Sequence, residues 1–386
     1  MSTREILLCH PARTPIGAFG GALNAFSAAE LGGIAVRAVV QRSGLDPAKV
    51  GGLVMGNVVQ AGGGQNPARQ AGLGGGLPIS VPAMTVNRVC GSGAQAIISA
   101  AQQIGVGEID CAVAGGFESM ERTPHLLQAG RWGARMGATA VHDSMLRDGL
   151  EDAFSGEHAG WHAEDLVTLC QLTREAQDRF AERSQRLFCA ARDAGKFEEE
   201  IVAVDGFARD EAPRADTTLA ALSKLRPAFR ADGTITAGNA PGLNSGAAAM
   251  IVAEAGFSER NGLRPMARLA GYGVAAVEPG LFGLAPAPAI ETAVTRAGWR
   301  LAQVERFEIN EAFAAVPLAV MQKLGLPDDV VNVEGGAIAH GHPIGATGAI
   351  LATRLMHAMR RDGVRRGVVS LCIGGGMGVA LALEAF

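Results

Sequence analysis

Short apolar runs alternate along this chain with longer stretches in which apolar side chains recur every three to four positions, a pattern that predicts strands followed by helices. Residues 6–9 read as a short apolar strand, 28–42 as a helix, and 53–58 and 83–86 as two further strands. After Cys90 the apolar positions Ala94, Ile97, Ile98, Ala101 and Ile104 keep helical spacing, and residues 111–114 then read as a buried strand. Strand and helix alternating in this way predict an α/β fold.

A weaker internal repetition lies over that alternation. Near Val86 and Asn87 a strand ends, a glycine turn carries Cys90, a helix follows, and the next strand runs into Gly115 and Gly116. Near Val331 and Asn332 a strand ends again, glycines and His342 follow, then a helix and a strand into Gly374, Gly375 and Gly376. Both halves present reactive groups at strand ends, where open α/β sheets bind ligands. Packed face to face, they would bring Cys90 near His342 and Cys372. Residues 119–238 break the pattern: they carry charge densely, hold His142, His158 and His162, and contain a helix-like stretch at 174–194. This segment reads as an inserted lobe.

Composition narrows the class. The chain has 386 residues, 48% hydrophobic and 19% charged, too many for one ordinary core, so two or more domains are expected. Its 53 glycines beside a single tyrosine indicate short elements packed through tight turns, since aliphatic residues stay abundant. A net charge of -4 without a Lys/Arg run excludes a nucleic-acid partner. The six cysteines (Cys9, Cys90, Cys111, Cys170, Cys189, Cys372) contain no C-x-x-C pair, which predicts neither a disulfide framework nor a metal site, and a reducing compartment. The N-terminal apolar run is too short for a secretory signal, no stretch is long enough to span a bilayer, and the C-terminal Glu-Ala-Phe is no peroxisomal address. A soluble, cytoplasmic protein with no membrane partner is expected.

Cys90 is followed by Gly-Ser-Gly at the predicted strand-to-helix turn, where a helix N-terminus favours a thiolate and where Gly91 and Gly93 leave room for an acyl chain and for backbone N–H groups. A lone thiol is more often a small buried hydrophobe. His342, with an ordinary imidazole pKa of about 6.5, suits proton exchange with Cys90. His340, one residue away from it, would make a metal pair only with further ligands, which the spacing does not offer, and reads as pocket lining or support. Cys372, before three glycines at a strand end, suits an exposed base for a proton on carbon, against the reading of a packed strand-end thiol. Asn310, after a strand at 307–309, could be a helix N-cap, a catalytic donor or both, and Glu311 an orienting group.

These segments, Cys90 in VNRVCGSGAQAI, Asn310 in NEAFA, His342 in GGAIAHGHPIGATG and Cys372 in LCIGGGMG, together resemble the thiolase family of acetyl-CoA and 3-ketoacyl-CoA acyltransferases, from about Arg4 to Glu384. The resemblance implies a thiolase-like fold: duplicated βαβαβαββ halves forming a layered α-β-α-β-α core, with an inserted loop lobe. It implies an N-terminal half at 1–118, a lobe at 119–240 that binds coenzyme A and makes oligomer contacts, a return strand and helix at 241–265, and a C-terminal half at 266–386. It implies reversible condensation of acetyl-CoA with an acyl-CoA, or CoA-dependent thiolysis of a 3-ketoacyl-CoA, by a ping-pong route through acyl-Cys90. His342 would serve as its base, Cys372 would handle the α-proton, and Cys90 and Gly374 N–H groups would form one oxyanion hole, with His342 and an Asn310-held water forming another. No cofactor beyond the CoA thioester substrates is implied, and a homotetramer or homodimer is.

By the same resemblance Arg214 contacts adenine and phosphate, His158 the pantetheine, Ala237 and Leu243 the tunnel wall, while Met136, Ala159 and Phe282 line the acyl pocket. Many short-chain biosynthetic members carry Ser at the places of Ala221 and Pro241 and Met at those of Ala159 and Phe282, which implies a reshaped acyl pocket, with Trp161 filling space beside Ala159 or capping the tunnel. A decarboxylating ketoacyl synthase shares such an architecture, but Cys372 before Gly-Gly-Gly argues against it. A silent acyl-CoA binder on the same fold is the reading from another class.

Overall fold

The computed structural model describes residues 4–386. The strands are β1 (Ile6–Arg13), β2 (Gly17–Ala18), β3 (Gly52–Gly56), β4 (Ala83–Val86), β5 (Cys111–Ser119), β6 (His125–Leu126), β7 (His142–Asp143), β8 (Asn244–Glu254), β9 (Pro265–Ala276), β10 (Arg306–Ile309), β11 (Arg366–Ile373) and β12 (Met377–Glu384), with β1, β3, β4, β5 and β10 where apolar runs predict them and the two-residue β2, β6 and β7 where none does. All but the β6–β7 hairpin join one sheet, ordered β10-β11-β12-β9-β1-β8-β5-β3-β4, with β2 against β8.

Outward from the antiparallel β1–β9 pair, the two arms of this sheet match. On one side β8 and then β5 add antiparallel, and β3 and β4 add parallel. On the other, β12 and then β11 add antiparallel, β10 adds parallel, and the place of β4 is taken by a single parallel bridge from Phe307 to Val331. The strand expected to end near Val331 is reduced to that bridge because the chain turns at once, with Asn332 at φ 46° and Gly335 at φ 69°. Helices Ala28–Ser43, Pro67–Gly74 and Ser92–Gly105 interleave the first arm, and Pro286–Arg296, Ala315–Leu324 and Thr347–Asp362 the second. The first half is therefore βαβαβαββ, and the second repeats it with the Val331 bridge in the place of its third strand.

The layering follows from where apolar faces are buried. Ile97, Ile98 and Ile104 of helix Ser92–Gly105 share one cluster with Leu351, Leu355 and Met356 of helix Thr347–Asp362 and with strand residues of both arms, including Val252 and Leu381. Helices Ala28–Ser43 and Pro67–Gly74 cover the far face of the first arm, and Pro286–Arg296 and Ala315–Leu324 that of the second. The sheet is thus covered on both faces, which is why β5 is buried along its whole length instead of alternating. Each fully buried isoleucine adds roughly 1.5–3 kcal/mol. The central helices meet at their first turns: a Cβ on Gly93 would stand 2.8 Å from Ala349 N, and one on Gly348 would overlap Ala94 N. That reciprocal contact requires glycine on both sides and makes Ser92-Gly93-Ala94 the counterpart of Thr347-Gly348-Ala349.

Two strands outrun their expected ends. β1 continues past Cys9 to Arg13 through a bulge, with His10 at φ 50° and a register shift against β8 between Cys9 and Ala12, which accommodates Pro11, a residue with no N–H to give. β5 continues past Ala114 to Ser119 and so carries Glu118 to the end of the sheet. Between β5 and β8, residues 120–243 form the lobe: the β6–β7 hairpin, helices Ala159–Leu169, Arg174–Asp193 and Leu219–Leu222, and turns. Buried Arg13 ties it to the core, its Nε donating to Glu200 at 2.7 Å and its two Nη groups to Asp210 at 2.8 and 3.0 Å. Among the described residues no helix is long and apolar enough to cross a membrane.

Candidate active site

A cavity of ≈ 1040 Å³ lies between the core and the lobe. Cys90, His342, Cys372 and Gly374 line it from the core, and His158 and Ala159 from the lobe, with Leu243 and Phe282 also in its wall.

Cys90 reaches it through a tight turn. After β4, Asn87 Oδ1 accepts the Val89 N–H at 2.9 Å, while Ser92 Oγ accepts the Arg88 N–H at 2.8 Å and donates to the Val89 carbonyl at 2.6 Å. These bonds hold Val89 at φ 44°, a left-handed conformation that a β-branched residue avoids. Strain of this kind costs on the order of 1–3 kcal/mol and recurs at functional turns. Gly91 and Gly93 do not make room for an acyl chain as expected: a Cβ on Gly91 would stand 2.5 Å from Ile373 Cδ1, and Gly93 faces the other central helix. Nor does the helix N-terminus decide the thiol's state. Burial pushes Cys90 up to about 12, against the Gly374 and Cys90 backbone N–H groups, which pull it down. At rest it is a thiol.

His342 sits in the turn before the second central helix. Its Nδ1 lies 2.7 Å from Thr347 Oγ1, whose hydroxyl donates to the Pro343 carbonyl at 2.9 Å. With that hydrogen already given, Thr347 accepts, so Nδ1 carries the imidazole proton and Nε2 keeps its lone pair. Asn310 Nδ2 stands 3.3 Å from Nε2. Burial pushes His342 down to about 4, so the ring is neutral at physiological pH. Asn244, at the start of β8, accepts the His342 backbone N–H at 2.9 Å and packs against Gly341, whose φ of 103° excludes a side chain. The result is a fixed neutral base.

Cys372, expected as an exposed base, is 1% exposed at the end of β11, in one apolar cluster with Phe282 and Phe313. Burial, and after it the neighbouring Cys90, raises its thiol well above the usual range. Asn310 caps no helix, because the next one begins at Ala315; it is fully buried behind His342 and leaves Oδ1 without a partner in the protein. Glu311 accepts from Ser184 Oγ at 2.7 Å, Asn332 Nδ2 at 2.9 Å and the Ile338 N–H at 2.9 Å, which ties the Asn310 segment to the lobe and to the His342 segment. His340 lines nothing: it is turned into the core against Phe188, ring centroids 5.5 Å apart.

At the lobe side His158 caps helix Ala159–Leu169, its Nδ1 accepting the Gly160 N–H at 2.9 Å, and stacks on Phe229 at 4.6 Å. Phe282 packs edge-on against Phe313 at 6.4 Å. Trp161 neither fills the space beside Ala159 nor caps the cavity, since its ring lies under Arg230 at 4.6 Å, outside the lining. The structure does not bring Arg214, Ala237 or Met136 into the cavity wall of the single chain; all three are exposed, Met136 to 91%. Pro241 is in the wall and Ala221 is exposed outside it. Residues missed from sequence include Thr347, Asn244, Arg147, Phe154 and Phe313. Of these only Thr347 had a signal, a hydroxyl five residues after the histidine at a helix start.

Comparison with known proteins follows the same lines. The thiolase N-terminal domain model matches residues 6–256 and the thiolase C-terminal domain model residues 263–385. The acetyl-CoA acetyltransferase of Cupriavidus necator is 47% identical, over 98% of this chain and 99% of its own. The cytosolic acetyl-CoA acetyltransferase of Mus musculus is 46% identical over 98% of both chains. The crystal structure of the Bacillus anthracis acetyl-CoA acetyltransferase superposes with a TM-score of 0.97 at 41% identity, covering 100% of this chain and 99% of that one.

Proposed function

The chain belongs to the thiolase family and is an acyl-CoA C-acyltransferase, and from that premise we propose that it works by a ping-pong route through acyl-Cys90, with acetyl-CoA as acyl donor, as the names of its relatives suggest. The observation that carries this reading is a pair of thiols lining one cavity, Cys372 buried and Cys90 partly exposed, beside one neutral imidazole whose proton Thr347 fixes on Nδ1.

The Cys90 thiol gives its proton to His342 Nε2 as Sγ attacks the thioester carbonyl. The bond from the acyl carbon to the CoA sulfur breaks, and Cys372 protonates the leaving thiolate. Left as a thiolate, Cys372 removes the α-proton of a second acetyl-CoA. The carbanion attacks the carbonyl of acetyl-Cys90, Sγ leaves, and it recovers its proton from His342. Two acetyl-CoA give acetoacetyl-CoA and CoA, every group returns to its starting state, and the reverse sequence is thiolysis. Oxygens that become negative on the way are met by the Cys90 and Gly374 N–H groups and by His342 with a water held at Asn310, whose buried Oδ1 has no protein partner.

The pantetheine arm passes His158 and the tunnel wall of Leu243 and Ala237, the latter at the exposed mouth outside the cavity, and exposed Arg214 serves the adenosine and phosphate end; Met136, Ala159 and Phe282 remain the acyl-side residues of this reading. The same reading divides the chain at 118, 240 and 265, assigns it to the cytoplasm and assembles it as a homotetramer or homodimer, with oligomer contacts from the lobe. The test separates the half-reactions. Cys372→Ala should still accept radiolabelled acetyl on Cys90 and lose condensation; Cys90→Ala should lose both, and stable labelling of Cys90→Ala would remove the nucleophile from this scheme.

A further inference from the structure

The duplication sets Glu118 against Gly345 as it sets Cys372 against Cys90. Because Gly93 and Gly348 make the same contact from opposite sides, Cys90, three residues before Gly93, corresponds to Gly345, three before Gly348. β3 and β5 pair Gly56 with Gly116, and β10 and β11 pair Ile309 with Ser370. Counting on by one residue, Asn57 stands where Asn310 stands; counting on by two, Glu118 stands where Cys372 stands. The first half thus keeps a copy of the catalytic layout with a carboxylate in the thiol's place.

That carboxylate is fully buried, with no cation paired to it among the described residues. Oε2 accepts the N–H groups of Val58 at 3.1 Å and Gly345 at 3.0 Å; Oε1 accepts Asn57 Nδ2 at 2.7 Å and the Val59 N–H at 3.3 Å. Both oxygens are used fully as acceptors, and the donors come from two loops that belong to different halves. One loop, 57–59, supplies Val58 to the cavity wall; the other, 341–346, supplies His342 and Ile344. A Cβ on Gly345 would stand 2.7 Å from Oε2, so the loop can dock on the carboxylate only as glycine. Burial pushes Glu118 up to about 8 while its four donors pull it down; donors face both oxygens and leave a carboxyl proton no acceptor, so the geometry favours the carboxylate, whose charge is also among the influences that hold the Cys90 thiol up.

We infer that Glu118 is a positioning residue for acyl transfer: its carboxylate joins the 57–59 loop of one half to the His342 loop of the other and so sets the base against the nucleophile. The inference rests on the reading of Cys90 as nucleophile and His342 as its base. Glu118 touches no substrate. A buried acceptor with four donors must be matched in hydrogen bonding as well as in shape, and a carboxamide of the same size turns an NH2 group towards two of those donors.

The experiment compares Glu118→Gln and Glu118→Asp in the full-length protein, by steady-state condensation and by acetylation of Cys90 from acetyl-CoA. Glu118→Gln should lower kcat and the acetylation rate by about 10- to 100-fold, the effect of one buried group left unpaired, with the KM for acetyl-CoA within about twofold. Glu118→Asp, which remains an acceptor on both oxygens, should retain more activity than Glu118→Gln. Equal rates for Glu118→Gln and wild type, or a Gln variant more active than Asp, would overturn the inference. Should Glu118→Gln not fold, Asn57→Ala, which removes one donor to Glu118 together with a longer bond to the Phe117 carbonyl and leaves the three backbone donors in place, should lower kcat several-fold at constant KM; an unchanged kcat there overturns it equally. Failure of the wild-type protein to acetylate Cys90 would instead sink the underlying ping-pong reading.

Discussion

The core sheet and the inserted lobe hold their residues in opposite ways. At the strand ends His342, Cys372 and Asn310 are buried, Cys90 is partly exposed to the cavity, and neighbours fix the turns: Thr347 sets His342, Asn244 the turn beneath it, and Ser92 with Asn87 the turn that carries Cys90. In the lobe Leu127, Trp132, Met136 and Phe154 are exposed in the single chain, and a few buried ties, Arg13 foremost, hold the segment to the core. On the proposed mechanism the chemistry falls to the part fixed by buried contacts and substrate fit to the part left more exposed, as expected where transfer needs sub-ångström placement and recognition needs only a matched shape.

The largest test of this division is to delete a reactive group from the core. Cys90→Ala should lower condensation and thiolysis by at least about 10³-fold, and Cys372→Ala by about 10²–10⁴-fold, the range for a lost proton-transfer group, while the KM for acetyl-CoA changes little in Cys372→Ala. A lobe substitution with an equal effect on kcat would break the comparison. Arg13→Met removes the tie between the parts and leaves Glu200 and Asp210 buried without their cation, which should destabilise the fold by about 3–5 kcal/mol, read as a lower urea midpoint. The kcat per folded molecule should be nearly unchanged.

Thr347→Val sharpens the same point by an amount smaller than deletion. It removes the acceptor that keeps the His342 proton on Nδ1, so kcat should fall by about 10- to 100-fold, the cost of one unmatched buried donor. In the wild type, burial holds His342 near 4, so kcat/KM should show its acid limb there and no break near 6.5. The linked stability has a definite sign. The folded-state pKa lies below the unfolded value of about 6.5, so the neutral ring's contribution is complete above 6.5 and is lost as pH falls through about 4. Acid unfolding in that window, followed by fluorescence, checks it.

Legibility followed the same division. The alternation of strands and helices and the duplication could be read from sequence because each rests on local pattern: strand runs, helical spacing, glycines at turns; the four candidate positions stood out by their glycine turns, while their proposed roles came from the family resemblance. What could not be read depends on contacts between segments distant in the chain. Nothing local shows that β5 runs on to Glu118, or that Glu118 meets Gly345, 227 residues away. Burial is equally non-local. The helix start beside Cys90 suggests a thiolate, and Cys372 at its strand end suggests exposure, yet both thiols are desolvated by parts of the chain that arrive only with the fold. In the lobe, Trp161 could not be placed because its position is set by Arg230, 69 residues on.

The smallest expected effect concerns the shape of the acyl pocket, where the lobe meets the core. Phe282 is nearly buried, packs on Phe313 and shares an apolar cluster with Cys372 and, at its edge, Ala159. On the proposed mechanism the ring then lies near the carbon that Cys372 would deprotonate, with Ala159 in the same cavity wall. Phe282→Leu removes part of that ring without adding a polar atom, so it should raise kcat/KM for a six-carbon 3-ketoacyl-CoA relative to acetoacetyl-CoA by about tenfold, the value of roughly one or two methylenes in an apolar pocket. Ala159→Met should shift the ratio in the opposite direction. Thiolysis rates across the two substrates decide the matter: if both variants leave the ratio unchanged, the acyl chain does not run between these residues, and selectivity lies further along the wall towards Phe154 and Met377.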